Sequence, residues 1–281
     1  METVKLRYLE WNPLFEREKP YQIITNVPPG CPTSNLSFRL FDEEQMHDVR
    51  GHEDEFNLDD HGFTFVKQHD ALPQFSKDTI EEEYIPLMSE WLKKNIDDAE
   101  EVYVFDWRLR SSDRSKTFEV PGSEIDLNDL TRYLKPVEAV HVDQSTAGAY
   151  QRVHFHMGDQ AESLLRRRFR IINVWRPISE PIEDYPLAVC DGSSIKERDL
   201  ICADHVRRDY TGESIYPLYN PSARWYYLKM QRKDEVLVFK TFDSLHNAKA
   251  KCCPHVSFKH AQVRSGAPHR ESVEIRALVF S

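Results

Sequence analysis

Ala139-Val140-His141-Val142-Asp143 is the stretch on which the reading of this chain turns. An extended backbone sends successive side chains to opposite faces, so His141 and Asp143 project together while Val140 and Val142 pack the other way. One imidazole and one carboxylate on a common wall call for a third ligand. Two histidines and a carboxylate on one face of an Fe(II) ion leave three positions open for dioxygen and substrates. His255 is the best-placed partner: it opens the alternating run His255-Val256-Ser257-Phe258 and lies 112 residues beyond Asp143. That interval lets the intervening strands return to the same end of a barrel. A His-x-Asp pair arises by chance about once in a chain this rich in both residues, so context must separate signal from noise. His52-Glu53-Asp54 sits in a charged stretch after Gly51 with no β-branched neighbours and reads as a surface loop. His154 and His156 fall within a helical stripe, where positions two apart do not face each other. Cys252-Cys253-Pro254-His255 lacks a second pair at zinc spacing and reads as a loop before a strand.

Working outward, the apolar residues change period along the chain. Residues 102–105, 139–143, 169–178, 186–190, 224–230, 235–242, 255–258 and 273–280 form eight short β-rich runs, separated by turn residues and by one helix around 147–167. That pattern predicts a closed or sandwiched all-β core. Upstream, Ile80, Tyr84, Leu87 and Trp91 recur at helical spacing, with Asp78 as N-cap, Glu81 as its reciprocal partner and Pro86 kinking the helix or displacing its start. Residues 1–75 mix short extended runs (36–41, 63–66) with acidic loops and read as an irregular layer. The expectation is a single domain over 1–281, with 1–100 an N-terminal elaboration carrying a helix and 101–281 the core.

Composition sets the bounds. A chain of 281 residues with 40% hydrophobic content can bury one substantial core. The net charge of −10 argues against a partner made of nucleic acid. No apolar run reaches the ~20 residues of a membrane span and the first residues lack a secretory pattern, so the expectation is a cytoplasmic protein without membrane contact. The five cysteines show no paired spacing and read as reduced thiols. Arg166-Arg167-Arg168-Phe169-Arg170 reads as a helix end passing into a strand. A small-molecule substrate is expected, and a homodimer is left open.

Arg270-Glu271-Ser272 opens the last apolar run. An arginine can hold a carboxylate through two hydrogen bonds, and a serine two residues along the same face adds a third donor. Arg270 and Ser272 would suit the distal carboxylate of 2-oxoglutarate, with Arg276 of the same parity as rival or as partner to a nearby acid. The aromatic residues Trp175, Trp225, Tyr226, Tyr227 and Phe239 read as core.

Beyond these single motifs, the chain resembles the fungal asaB-type hydroxylase/desaturase family, related in pattern to cephalosporin methoxylase-like oxygenases of secondary metabolism. The resemblance spans nearly the whole length. It rests on Arg7-Tyr8-Leu9 through Lys19-Pro20-Tyr21, on His141-Val142-Asp143-Gln144-Ser145, and on Arg170 to Ile178 (RIINVWRPI). It rests also on Pro186-Leu187-Ala188-Val189-Cys190-Asp191, on DEVLVFK at 234–240, and on Pro254-His255-Val256-Ser257-Phe258 followed by RESVEIR at 270–276. The resemblance implies a mainly β fold with flanking helices, a double-stranded β-helix of jelly-roll, cupin-like form. It implies Fe(II) held by His141, Asp143 and His255, with 2-oxoglutarate and dioxygen as co-substrates. The expected activity is that of a dioxygenase that hydroxylates, desaturates or rearranges a small molecule. An iron oxygenase that dispenses with 2-oxoglutarate, or an inactive jelly-roll binding module, are the alternatives.

Overall fold

A computed structural model describes residues 1–25, 27–69, 72–117, 129–179, 181–208 and 210–281. Strands β1 (Glu2–Leu9), β2 (Tyr21–Ile23), β3 (Phe38–Asp48) and β4 (Phe63–Lys67) come first. A helical stretch follows: α1 (Lys77–Thr79), a π turn over Ile80–Tyr84, and α2 (Ile85–Asn95). Then come β5 (Glu101–Ser111), the helices α3 (Thr146–Met157) and α4 (Ala161–Leu164), and strands β6 (Phe169–Pro177), β7 (Leu187–Cys190), β8 (Leu200–Val206) and β9 (Thr211–Pro217). β10 (Trp225–Tyr227), β11 (Glu235–Asp243), β12 (His255–Ser257) and β13 (Glu271–Phe280) close the chain.

Two five-stranded sheets, ordered β4-β11-β6-β13-β5 and β1-β3-β10-β7-β12, carry the fold, and β2-β8-β9 form a third sheet. The first is antiparallel throughout. Its two faces divide by parity. Ile172, Val174, Val236, Val238, Val273 and Ile275 pack outward on Tyr84, Met88 and Leu92 of the helical stretch. The alternate residues turn inward. Toward β11 these are Trp175, Leu237 and Phe239, which meet Leu187 and Val189 of the second sheet in an inter-sheet core. Across the same rows of the sheet, toward β5, they are polar: Asp106, Arg108 and Arg110 of β5, Asn173 of β6, and Glu274 and Arg276 of β13. The mainly β jelly roll is therefore present, and its charged side marks the site.

Two local expectations change. The N-cap of the helical stretch is Ser76, with Thr79 as reciprocal partner, in place of Asp78 and Glu81. Serine and threonine satisfy the same kind of orphan amides a little earlier in the chain. Pro86 lies inside a continuous helical run, since Tyr84 and Ile85 are already helical and Ile85 N donates to Ile80 O, so the π turn just before it accommodates the missing N–H in place of a new helix start. Residues 1–75 are also more ordered than their acidic loops suggest, since β1 and β3 pair antiparallel around one register shift between Val4 and Leu6 and β3 joins β10 inside the second sheet. No helix among the described residues is long and apolar enough to cross a membrane.

Candidate metal centre

Residues 139–143 form an extended segment stitched to three strands by single bridges: Ala139 to Arg7 of β1, His141 to His255 of β12, and Val142 to Ile215 of β9. His141 and His255 face each other as a hydrogen-bonded pair, His141 N donating to His255 O at 3.2 Å and His255 N to His141 O at 2.9 Å. Directly opposed residues put their side chains on one face. The imidazole rings accordingly lie 4.3 Å apart, centroid to centroid. Val140 and Val142 are fully buried on the opposite side. Two positions on from His141, Asp143 brings its Oδ1 to 3.7 Å from His141 Nε2 and 3.9 Å from His255 Nε2. One ligand atom from each of the three residues lies within 4.8 Å of the other two.

The surroundings fix the orientation of each group. His141 Nδ1 donates to the Ala139 carbonyl at 2.9 Å and His255 Nδ1 to the Cys253 carbonyl at 3.2 Å. Both Nε2 lone pairs therefore point at the common centre, the arrangement that metal-binding histidines adopt. Burial, reinforced for His141 by the neighbouring His255, lowers both imidazoles, His141 to about 4, so they are neutral at physiological pH. Among the described residues Asp143 accepts hydrogen bonds on one oxygen: Oδ2 accepts from Asn173 Nδ2 at 2.6 Å and from Arg276 Nε at 2.8 Å. Burial would raise this carboxyl, but the Arg276 guanidinium and the two histidines hold it well below the ordinary carboxylate value. A carboxylate with Oδ1 turned to two neutral imidazoles is a donor set suited to Fe(II), and its mixed nitrogen and oxygen donors on one side fit the facial arrangement.

Arg276 also donates to Asp106 Oδ2 at 2.7 Å and pairs with Glu274, so its guanidinium is committed to three carboxylates. Arg270 is placed differently. Its Nε donates to Ser272 Oγ at 3.1 Å, its Nη1 to Ser257 Oγ at 2.6 Å and the Tyr185 carbonyl at 2.9 Å, and its guanidinium lies 4.9 Å over Trp175. Burial lowers it to about 9, and Arg110 opposes its charge further. Arg270, Ser257, His255 and Arg276 line a niche of only about 10 Å³ beside the centre. Next to it, His141 and Asp143 line a cavity of about 290 Å³. Arg110, Val137, His141 and Arg276 line both, so the two spaces share one wall.

The competing histidines stay apart from the centre. His52 Nδ1 contacts Glu55 at 2.7 Å on the surface, and His154 lies 4.0 Å from Glu162. Asn173, the one polar residue in Ile171-Ile172-Asn173-Val174-Trp175, was the unread signal for a carboxylate anchor. The alternation Asp106-Trp107-Arg108-Leu109-Arg110 likewise announces a strand with a charged inner face.

Comparison with known proteins gives the family. A family model described as an oxidoreductase/YMDC permease-like domain matches residues 6–280. The Fe(II)/2-oxoglutarate-dependent dioxygenase nvfI of Aspergillus novofumigatus is 35% identical over 274 residues, covering 94% of this chain and 91% of its own. The hydroxylase/desaturase efuI of Hormonema carpetanum is 30% identical, over 84% of this chain and 82% of its own. A solved structure of the iron and alpha-ketoglutarate-dependent endoperoxidase NvfI superposes with a TM-score of 0.85 at 30% identity, covering 100% of this chain and 98% of that one. The chain thus belongs to the family of Fe(II)/2-oxoglutarate-dependent dioxygenases and hydroxylase/desaturases known from fungal secondary metabolism.

Proposed function

We propose that His141, Asp143 and His255 hold Fe(II), that Arg270 with Ser272 and Ser257 receives the distal carboxylate of 2-oxoglutarate, and that the cavity beside His141 takes a small organic substrate. The observation that carries this is the convergence of two Nε2 atoms and one free Asp143 oxygen, each locked by a partner on its far side. The enzyme class and its requirements, Fe(II), 2-oxoglutarate and dioxygen, follow from the family. Together they supply an oxidation coupled to decarboxylation of the keto acid, which removes hydrogen from a substrate carbon.

The protein's own groups do the positioning. Asn173 and Arg276 hold Asp143 Oδ2, leaving Oδ1 turned to the centre, while the Ala139 and Cys253 carbonyls fix both imidazole tautomers. Arg270 sits where a carboxylate can meet buried donors over an aromatic floor, and Trp175 and Phe239 keep that side dry. The committed ion pairs of Arg276 favour Arg270 over Arg276 as the co-substrate residue. Arg276 then serves as the partner that orients Asp143. Movement of the shared wall, where the Arg110 and Val137 side chains border both spaces, would join the niche to the cavity and admit a five-carbon dianion. The whole chain acts as one domain, and a cytoplasmic setting fits its reduced cysteines.

The test is a titration of 2-oxoglutarate into anaerobic Fe(II) protein, followed by the visible charge-transfer band of the chelate. Arg270→Gln removes charge-assisted bonds of about 2–4 kcal/mol, so the midpoint rises roughly ten- to a thousandfold while Fe(II) binding persists. Ser272→Ala gives a smaller shift in the same direction, on the order of 1 kcal/mol. Unchanged midpoints in Arg270→Gln and Arg276→Gln alike would remove β13 from the co-substrate site. Product formed without succinate would favour an oxidase that dispenses with 2-oxoglutarate.

A further inference from the structure

The cavity beside His141 carries more positive charge than iron and co-substrate account for. Five arginines line it against three carboxylates. Those carboxylates are already engaged: Asp143 by Arg276 and Asn173, Asp106 by Arg276 and Arg108 (3.2 Å), and Glu213 by Lys19 and Ser145. Among the described residues, Arg152 and Arg207 form no ion pair. Arg152 rests instead on aromatic faces, 4.5 Å over Tyr210 and 5.4 Å over Phe105. The Arg207 backbone N–H donates to the Tyr210 carbonyl at 2.9 Å, and both residues line the cavity. None of Arg108, Arg152 and Arg207 lines the niche of Arg270.

Resting on the iron and 2-oxoglutarate reading above, we propose that the organic substrate carries a carboxylate, or another group with the same anionic oxygen pair, and that Arg152 and Arg207, backed by Arg108, bind it. Guanidinium groups match such an anion in geometry and give up hydration readily. Clustered, with Arg108 buried and Arg152 and Arg207 half-buried, they repel one another and leave a deficit that an anion fills: burial and the Arg152 charge both lower Arg207, and burial lowers Arg108 to about 10. Tyr210 holds the Arg152 plane and supplies an apolar floor. A cavity of about 290 Å³ suits a compact acid, with the anion at the arginine end and a carbon of its skeleton toward His141.

The same chemistry could come from the second carboxylate of 2-oxoglutarate, and the experiment separates the two sources. Protein loaded anaerobically with Fe(II) and saturating 2-oxoglutarate is titrated calorimetrically with straight-chain and aromatic monocarboxylates of two to eight carbons, each paired with its primary amide. The expected result is an acid that binds at least tenfold more tightly than its amide and leaves the chelate band in place. In Arg152→Gln and Arg207→Gln the acid weakens about tenfold or more, the amide changes less than twofold, and the 2-oxoglutarate midpoint stays within twofold. Arg152→Lys and Arg207→Lys recover part of the acid binding, which a merely structural loss would not allow. The proposal is overturned if no acid in the panel outbinds its amide, or if the acids displace 2-oxoglutarate and abolish the band. Should the unmodified protein form no chelate band, the iron reading has failed instead. The acid and amide comparison then runs on metal-free protein and decides the arginine site on its own.

Discussion

Each of the three proposed iron ligands owes its aim to a neighbour, and that makes single substitutions informative. Alanine at His141, Asp143 or His255 should abolish both retained Fe(II) and turnover while the circular dichroism spectrum stays that of the parent, because each removes one donor from an open site and none fills the apolar core. Metal analysis after anaerobic reconstitution checks this, and a variant that keeps stoichiometric iron would break the ligand assignment. Asn173→Ala tests the outer shell: with its bond to Asp143 Oδ2 gone, the carboxylate loses one of two tethers and iron affinity should drop about ten- to a hundredfold in a chelator competition, without loss of fold. The closeness of His141 and Asp143 was legible because strand parity needs only the one intervening valine, Val142, to put both side chains on one face, and the start of an alternating run marked His255 as their neighbour. Asn173 and Arg276 were harder to read, since a lone asparagine and an arginine in apolar runs look the same whether they meet solvent or a carboxylate.

At the scale of elements, the long, fully buried strands β6, β11 and β13 were readable as continuous apolar runs, as expected where both faces are covered. β8 and β9 went unread because they form a half-exposed ribbon whose residues, such as Asp204, His205, Glu213 and Ser214, are polar. β1 shows a period of two, with Val4, Leu6 and Tyr8 buried and Thr3, Lys5 and Arg7 exposed, and acidic loops nearby masked it. The ligand segment itself is no named strand; its place is set by its bridges and by the helix cap just beyond Asp143. Ser145 caps α3, accepting from Gly148 N at 3.0 Å, and its own amide donates to the Glu213 carbonyl at 2.9 Å. A Cβ on Gly148 would stand 2.7 Å from that same carbonyl, a backbone atom with nowhere to retreat. Gly148→Ala should push α3 from β9, lower stability by about 1–3 kcal/mol in denaturant titration, and raise the iron midpoint because Asp143 moves with the cap. Unchanged stability and unchanged iron affinity together would show that the cap does not position the ligand.

Taken as a whole molecule, the jelly roll keeps its charged interior by placing its apolar packing around it: on the helical stretch outside the first sheet, between the sheets on the β11 side, and against α3 and α4. The same economy appears at the end of β11, where the fully buried Lys240 donates to the equally buried Asp243 at 2.6 Å. Arg168, leading into β6, grips Asp243 through Nε at 3.1 Å and Nη2 at 2.7 Å and reaches Asp59 at 2.7 Å, tying two central strands to the loop before β4. Burial alone would raise the Asp243 carboxyl, but the Arg168 and Lys240 contacts overcome it and hold it below its ordinary value. A carboxyl whose folded pKa is depressed binds its proton more readily in the unfolded chain. Its stabilisation is therefore complete above the unfolded value near 4, and disappears as pH falls through the lower folded value. Urea midpoints should hold from pH 7 down to about 5 on this account and then decline. Asp243→Asn should be destabilised by about 3–5 kcal/mol at pH 7, because it leaves Lys240 buried with only Asp59, 3.7 Å away, for compensation. The variant's remaining stability should also depend less on acid than the parent's, since one contributor to the slope is gone. Parallel acid profiles for the two proteins would show that Asp243 is not among the groups whose protonation loosens the fold.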